Sequence, residues 1–161
     1  EKMIGAARAW LVGAALALTM GGAAQAANCA LPPNAANLMA QAVAELNAAR
    51  AAQGRAKLSR DAKLDQAAQA HACWMGATGT FSHKGKGGSL PKKRIRATGY
   101  RTSLTAENIA WGQKTAHEVV DVWMNSDGHR RNILLSGVDE VGIGVAMMNG
   151  RIAWVMDFAS N

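Results

Sequence analysis

The dipeptide Asn149-Gly150 is the feature that most restricts how this chain can fold. Two runs rich in β-branched and other apolar residues, 140–148 and 151–159, stand on either side of it. An Asn-Gly pair in a two-residue loop favours the type I′ turn, whose twist matches that of two adjacent antiparallel strands. The sequence therefore predicts a β-hairpin over residues 140–159, whose apolar faces the rest of the chain has to cover.

Apolar residues recur with a helical period ahead of the hairpin. A first helix is predicted from the N-cap Asn37 to about Ala52. A second is predicted over residues 60–75, with Ser59 as its N-cap. His71 falls on the apolar stripe of this second helix, among alanines that favour close packing, so we expect it to have a structural role.

Two further helices are predicted in the second half of the chain. Ser89 caps a short one, which carries a proline in its first turn. Thr115 and Glu118 have the spacing of a capping box, which begins a helix that we expect to end at Gly128. Val122 lies on the predicted inward stripe of that helix.

A short strand is predicted at residues 107–111, where apolar and polar residues alternate. Together with the hairpin, it gives an antiparallel sheet that helices must cover. This combination defines the α+β class. With 161 residues the chain suits a single domain around one hydrophobic core.

The first 26 residues have the pattern of a cleavable secretory signal. Lys2 and Arg8 precede a short apolar run, 9–20, and Ala24-Gln25-Ala26 supplies the small residues of a cleavage site. The alternative is a buried N-terminal helix. The predicted organisation is a signal peptide at 1–26, a linker at 27–36 and a domain at 37–161.

Export sets expectations for location, state and the two cysteines. We expect a monomer that is secreted to the medium or the periplasm, with no transmembrane anchor once the signal is removed. Cys29 and Cys73 are the only cysteines, and a pair in an exported chain favours a disulfide. Their spacing does not fit a metal site.

Positive charge is concentrated in one short region. The chain carries 18 Lys and Arg against 11 Asp and Glu, a formal net charge of +7. Such a cluster is either a solvated face or a surface for an anionic partner, such as an envelope polyanion. Export argues against nucleic acid, and no groove-reading motif accompanies the charge. The clustered cations are Lys84, Lys86, Lys92, Lys93, Arg94, Arg96 and Arg101.

Three short motifs carry the candidate chemistry. Phe81-Ser82-His83 stands on a predicted loop, and Ala106-Glu107-Asn108-Ile109 overlaps the predicted strand. The third motif is the stretch from Asp127 to Leu134, in which His129 follows a glycine expected to end a helix. Two imidazoles and a carboxylate from different segments form a site only if the fold brings them together.

In this order the motifs resemble those of the bacterial members of the CAP superfamily (cysteine-rich secretory, antigen 5 and pathogenesis-related 1 proteins), also called SCP-like domains. The resemblance runs from about residue 37 to the closing Trp154-Val155-Met156-Asp157-Phe158. It implies a three-layer α-β-α sandwich with a cleft lined by two histidines and two acidic residues.

Three positions of this implied cleft are matched here. They are His83, Glu107 and His129, although Ala106 replaces the glycine expected before the glutamate. The second acidic position falls on Ser126 by its spacing from Trp123.

Three functional hypotheses follow. The first is a binding module whose cleft takes a small ligand or a lipid. The second is a metal-dependent peptidase or esterase, in which His83 and His129 hold Zn²⁺ or another divalent ion and Glu107 takes the proton of the bound water. In the third, the same residues only join the loops to the sheet.

Overall fold

The computed structural model describes residues 29–161, so the predicted signal peptide lies outside the described residues. Five helices and four strands follow one another in this range. The helices are α1 (Ala35–Ala52), α2 (Ala62–Thr78), α3 (Pro91–Ala97), α4 (Ala116–Met124) and α5 (Asp127–Ile133). The strands are β1 (Ser59–Arg60), β2 (Thr105–Trp111), β3 (Glu140–Met148) and β4 (Arg151–Ala159).

The four strands form one mixed sheet in the order β1-β3-β4-β2. The predicted hairpin is confirmed, because Met148 pairs with Arg151 around the Asn149-Gly150 turn. Asn149 and Gly150 have φ values of 49° and 75°, the positive values that a type I′ turn requires. Strand β2 lies antiparallel to β4 at one edge, and β1 lies parallel to β3 at the other.

Helices cover both faces of the sheet, which confirms the α+β class and the three-layer sandwich. Along β4, Trp154, Met156 and Phe158 point towards a large core that includes residues of α1, α4 and α5. Ala153 and Val155 point the other way, towards α2. Helix α3 packs against α2 on that second face through Ile95.

Helix α2 lies unusually close to β3, because two glycines of the strand leave room for it. A Cβ on Gly142 would stand 2.1 Å from the carbonyl carbon of Leu64, and one on Gly144 would stand 2.4 Å from the Cα of Gln69. Gln69 also bonds the peptide groups of Val145 on the open side of β3. Helix α2 therefore binds the part of the β3 edge that β1, with only two residues, does not reach.

The structure corrects three predicted helix starts. Ser89 does not cap α3, which begins at Pro91 and has Leu90 at its N-cap position. Asn37 does not cap α1, which begins at Ala35, two residues before the predicted start of the domain. Ser59 does not cap α2, because it belongs to β1 and pairs with Glu140. The N-cap is Asp61, whose carboxylate accepts hydrogen bonds from the next turn.

The structure also corrects the predicted course of the chain around Gly128. Helix α4 ends at Met124, and Gly128 lies inside a separate helix, α5, instead of ending the previous one. Val122 is exposed, because the buried stripe of α4 runs through Val119, Val120 and Trp123.

Cys29 and Cys73 form the predicted disulfide, which joins the segment before α1 to α2. None of the helices within residues 29–161 is both long and apolar enough to cross a bilayer.

Candidate functional site

A loop, a strand and a short helix bring the three predicted residues to one region. His83 lies on the loop between α2 and α3, Glu107 on β2 and His129 on α5. His83 Nδ1 is 2.7 Å from Glu107 Oε1. The Glu107 side chain is 1% exposed, whereas that of His83 is 51% exposed. The imidazole therefore stands between a buried carboxylate and the solvent.

Arg94 is the second partner of Glu107, and sequence reasoning had placed it elsewhere. Its Nη2 is 2.5 Å from Glu107 Oε2, and its side chain is only 10% exposed. Its Nη1 donates to the backbone oxygens of His83 and Ser89 at 2.9 and 2.6 Å. The prediction that Arg94 belongs to a solvated basic surface is therefore wrong. It joins α3 to the loop that carries His83.

Glu107 is held as a carboxylate. Burial opposes its ionisation, but the hydrogen bond from His83 and the charge of Arg94 outweigh burial and lower its pKa. An ionised carboxylate can only accept, so the proton of this bond belongs to His83 Nδ1. In the neutral form of this imidazole, the lone pair is on Nε2.

Asp157 lies behind Glu107 as its cross-strand partner on β4. It is completely buried, and neither of its carboxylate oxygens accepts a hydrogen bond from the described residues. Burial first, and then the negative charge of Glu107, raise the pKa of Asp157 well above its usual value. The raised pKa favours the neutral form of Asp157, which avoids a second buried negative charge beside Glu107. In the sequence, Asp157 stands out only as an acidic residue within the otherwise apolar run that forms most of β4.

Two asparagines hold α5 against β2. Asn108 Nδ2 donates to the backbone oxygen of His129 at 3.0 Å, and Asn132 Nδ2 donates to Asn108 Oδ1 at 2.8 Å. Asn132 also bonds the backbone oxygen of Glu107 at 3.2 Å. The asparagines of the second and third motifs therefore fix the position of the helix that carries His129.

His71 supports the loop from below, as expected for a structural residue. It is buried, and its Nε2 is 2.8 Å from the backbone oxygen of Ser82. Gly85 lies against the same ring, since a Cβ there would stand 2.9 Å from His71 Nδ1. Burial and then the Arg94 charge lower the pKa of His71, which favours the neutral ring.

A cavity of about 620 Å³ opens beside the two predicted histidines. His83, Lys84 and His129 supply its ionisable groups, and its apolar wall includes Phe81, Trp111, Val122 and Trp123. Ser126, predicted to belong to the cleft, precedes α5 and is not part of this wall.

A second recess, of about 400 Å³, lies on the other side of His83. Its wall is formed by that ring, Glu107, the start of α3 and the start of β2. His83 is therefore common to both walls. The remaining lining residues are Leu90, Pro91, Lys92, Thr105 and Ala106.

The histidines provide a limited donor set for a metal ion. Burial, followed by the charge of His83, lowers the pKa of His129, and its buried Nδ1 has no partner among the described residues. Within residues 29–161 no group of three or more His, Cys, Asp or Glu side chains has the arrangement of a metal site. Glu107 is already bonded to His83 and Arg94. The donors that remain are two imidazoles.

The sequence model of the cysteine-rich secretory protein family, CAP, matches residues 43–158. The match covers most of the chain, including all three motifs and the hairpin. The chain belongs to this family.

Two curated relatives come from Bacillus subtilis (strain 168), and both are described as uncharacterized. The protein YkwD is 36% identical over 127 residues, which are 78% of this chain and 49% of YkwD. The membrane protein YlbC is 32% identical over 99 residues, which are 62% of this chain and 29% of YlbC. The chain thus spans half or less of these relatives.

Solved structures with the same fold come from three other bacteria. An extracellular protein containing an SCP domain from Bacillus anthracis has a TM-score of 0.70 at 24% identity, over 79% of this chain and 41% of its own. An outer surface protein of Borrelia burgdorferi gives 0.67 at 24% identity, over 74% and 89%. A cysteine-rich secretory protein of Staphylococcus aureus gives 0.65 at 22% identity, over 80% and 40%. At these identities the likeness shows the fold alone.

Proposed function

We propose that this protein is a secreted binding module, and that its ligand occupies the cavity beside His83 and His129. One observation carries the proposal. Of the five large apolar side chains that are exposed in the described residues, three line this one cavity: Phe81, Trp111 and Val122. Exposed apolar side chains gathered around a concavity with a few polar groups are typical of a ligand site.

An extracellular or periplasmic location fits this role. The disulfide between Cys29 and Cys73 is of a kind that persists in oxidising compartments. The predicted signal peptide is consistent with export. Two proteins with a similar fold are described as an outer surface protein and as an extracellular protein, which is consistent with such a location.

The arrangement of Glu107 favours binding over the alternative of hydrolysis. This carboxylate is nearly inaccessible and already accepts from two donors, so it orients His83 more readily than it takes a proton from water. Ser82 Oγ accepts a hydrogen bond from the backbone N–H of Lys84 at 3.0 Å, and no bond joins it to an imidazole. We therefore expect no peptidase or esterase activity, with or without a chelator.

The binding proposal can be tested with anilinonaphthalene sulfonate, a dye that is apolar and anionic. The wild-type protein should bind it and raise its fluorescence. Val122→Ser should weaken binding severalfold, since it removes about half of the apolar surface of one wall residue. Leu31→Ser is the matched control, because Leu31 is also a large, exposed apolar residue but lies outside the cavity. Equal loss in both variants would contradict the proposal.

A further inference from the structure

Both recesses beside His83 are lined by large apolar side chains that are exposed to solvent. Leu90, a fourth exposed large apolar residue, lines the second recess. Of the five such residues in the described chain, only Leu31 lies outside the two recesses. Exposed apolar side chains therefore line both recesses, whose walls meet at His83. The two recesses together are called the groove.

The length of this groove follows from β2, which runs beneath both recesses. Ala106 lines the second recess, and Ala110 lines the first. A strand rises about 3.3 Å per residue, so these positions lie about 13 Å apart. A ligand that reaches both apolar ends must be extended, with a length comparable to four or more residues of a peptide.

The ionisable groups that line the groove are almost all basic. His83 is common to both recesses, Lys84 lines the first and Lys92 the second. Glu107 is the single carboxylate on either wall, and Arg94 and His83 already bind it. The groove thus offers an anion a central position with apolar surface on each side.

We propose that the ligand is an extended polypeptide segment in which an acidic residue is flanked on both sides by apolar side chains. The acidic side chain lies near His83, between Lys84 and Lys92, and the apolar side chains occupy the two recesses. This inference rests on the binding role proposed above. A single-chain amphiphile fits less well, because its charge is at one end and it would fill only one recess.

The test uses end-blocked pentapeptides in titration calorimetry with the whole protein. The reference probe is acetyl-Phe-Ala-Glu-Ala-Leu-amide, whose apolar side chains are four residues apart and lie on the same face as the central Glu when the peptide is extended. The central Glu is replaced by Gln or Lys in two others. The Glu peptide should bind about tenfold more tightly than the Lys peptide, and added salt should reduce the difference. Lys84→Gln should reduce it too, whereas Lys93→Gln, at an exposed lysine outside both recesses, should not.

A second comparison tests the apolar contact in each recess on its own. Leu90→Ser and Val122→Ser should each weaken the reference peptide severalfold. A probe with only one apolar side chain should respond to one of the two variants and not to the other. Leu31→Ser again serves as the matched control.

Three results would overturn the peptide proposal: no peptide binding, no preference for Glu over Lys, or equal sensitivity of the one-armed probe to both variants. If myristate binds with sensitivity to Val122→Ser alone while the peptides fail, the ligand is an amphiphile and the proposed binding role survives. If neither the peptides nor the dye bind at the cavity, the proposed function fails as well.

Discussion

Glu107 is the residue on which the cleft depends. It lies on a buried strand and binds His83 from the loop and Arg94 from α3, with Asp157 of β4 as its cross-strand partner. A carboxylate buried this deeply is tolerated only if its charge is compensated. The orientation of the exposed His83 ring therefore derives from interactions made beneath the surface.

Replacing Arg94 should cost far more than replacing its neighbour. Arg94→Gln leaves the Glu107 charge buried without its partner, so we expect a loss of about 3 kcal/mol in the free energy of unfolding. Lys93→Gln removes an exposed charge and should change it by less than about 0.5 kcal/mol. Urea denaturation measures both. Equal effects would mean that Arg94 is an ordinary surface cation.

Asp157 should make stability fall as pH rises. Because its pKa is raised in the folded protein, the folded state holds a proton that the unfolded chain has released above about pH 4. The contribution of Asp157 to the free energy of unfolding is therefore greatest in acid, and it falls as pH rises towards the raised pKa. Asp157→Asn, which stays neutral, should gain stability relative to wild type as pH rises above the unfolded-state pKa of about 4. A difference that is constant with pH would contradict a raised pKa.

The two histidines should bind about one Zn²⁺ or a similar ion, weakly, because two imidazoles leave most coordination positions to water. Such an ion would supply Lewis-acid chemistry, while Glu107 would hold His83 in position. His83→Ala and His129→Ala should abolish uptake in calorimetry, and Glu107→Gln should spare most of it. Binding should fade as pH falls and the imidazoles protonate.

His117 provides the control for this prediction. It is an exposed histidine at the start of α4, outside both recesses. His117→Ala should leave uptake unchanged. Equal uptake by wild type and by both cleft variants would show that His83 and His129 do not hold the metal ion.

At the scale of elements, the contact between α2 and β3 determines the spacing of one layer. Gly142 and Gly144 allow the helix to approach the strand, and Gln69 bonds the open edge of β3. The same helix carries His71, which supports the loop of His83. The position of the cleft therefore depends on how closely α2 can pack.

A methyl group at this contact should be costly. Gly142→Ala would place its Cβ 2.1 Å from the carbonyl carbon of Leu64, far closer than van der Waals contact, and the α2 backbone cannot move away without disturbing the layer. We expect a loss of about 3 kcal/mol or more in the free energy of unfolding. Gly128→Ala is the control, because it lies in α5 with no atom nearer than 4.0 Å, where alanine is the better helix former. It should be neutral or stabilising.

The elements that sequence reasoning missed are short or depend on distant partners. Strand β1 has two residues, too few to show an alternating pattern. Helix α5 was missed because Gly128 was interpreted as a helix stop, although its backbone is helical and Asn108 and Asn132 hold the helix in place. The hairpin was predictable because the Asn-Gly turn is specified by its two residues alone. With Arg94 removed from it, an anion-binding role of the remaining basic cluster is still a prediction.

At the scale of the whole molecule, the order of the motifs predicted the fold better than the chemistry of the site. The three-layer sandwich and the meeting of His83 with Glu107 followed from the resemblance. The roles of Arg94 and Asp157 did not, because a residue in a basic run and one in an apolar strand acquire a partner only through tertiary packing. Burial, which no local pattern shows, makes both of them part of the site.

The disulfide is a whole-molecule constraint, since it ties the start of the described chain to α2 over a sequence separation of 44. Closing such a loop contributes about 4 kcal/mol in the chain-entropy model. Reduction should therefore lower the melting temperature without abolishing the fold, and Cys29→Ser with Cys73→Ser should reproduce the reduced protein.

Mass measurement of the exported protein should show two hydrogens fewer than the reduced chain and a start at Ala27. Two free thiols would contradict the bridge.

The cavity beside His83 and His129 is the proposed ligand site of this protein. It can be tested by titrating the isotope-labelled protein with anilinonaphthalene sulfonate and following each residue by nuclear magnetic resonance. We expect shifts concentrated at Phe81, the Trp111 indole, Val122 and His129. Shifts confined to Leu31 or spread evenly over the surface would contradict it.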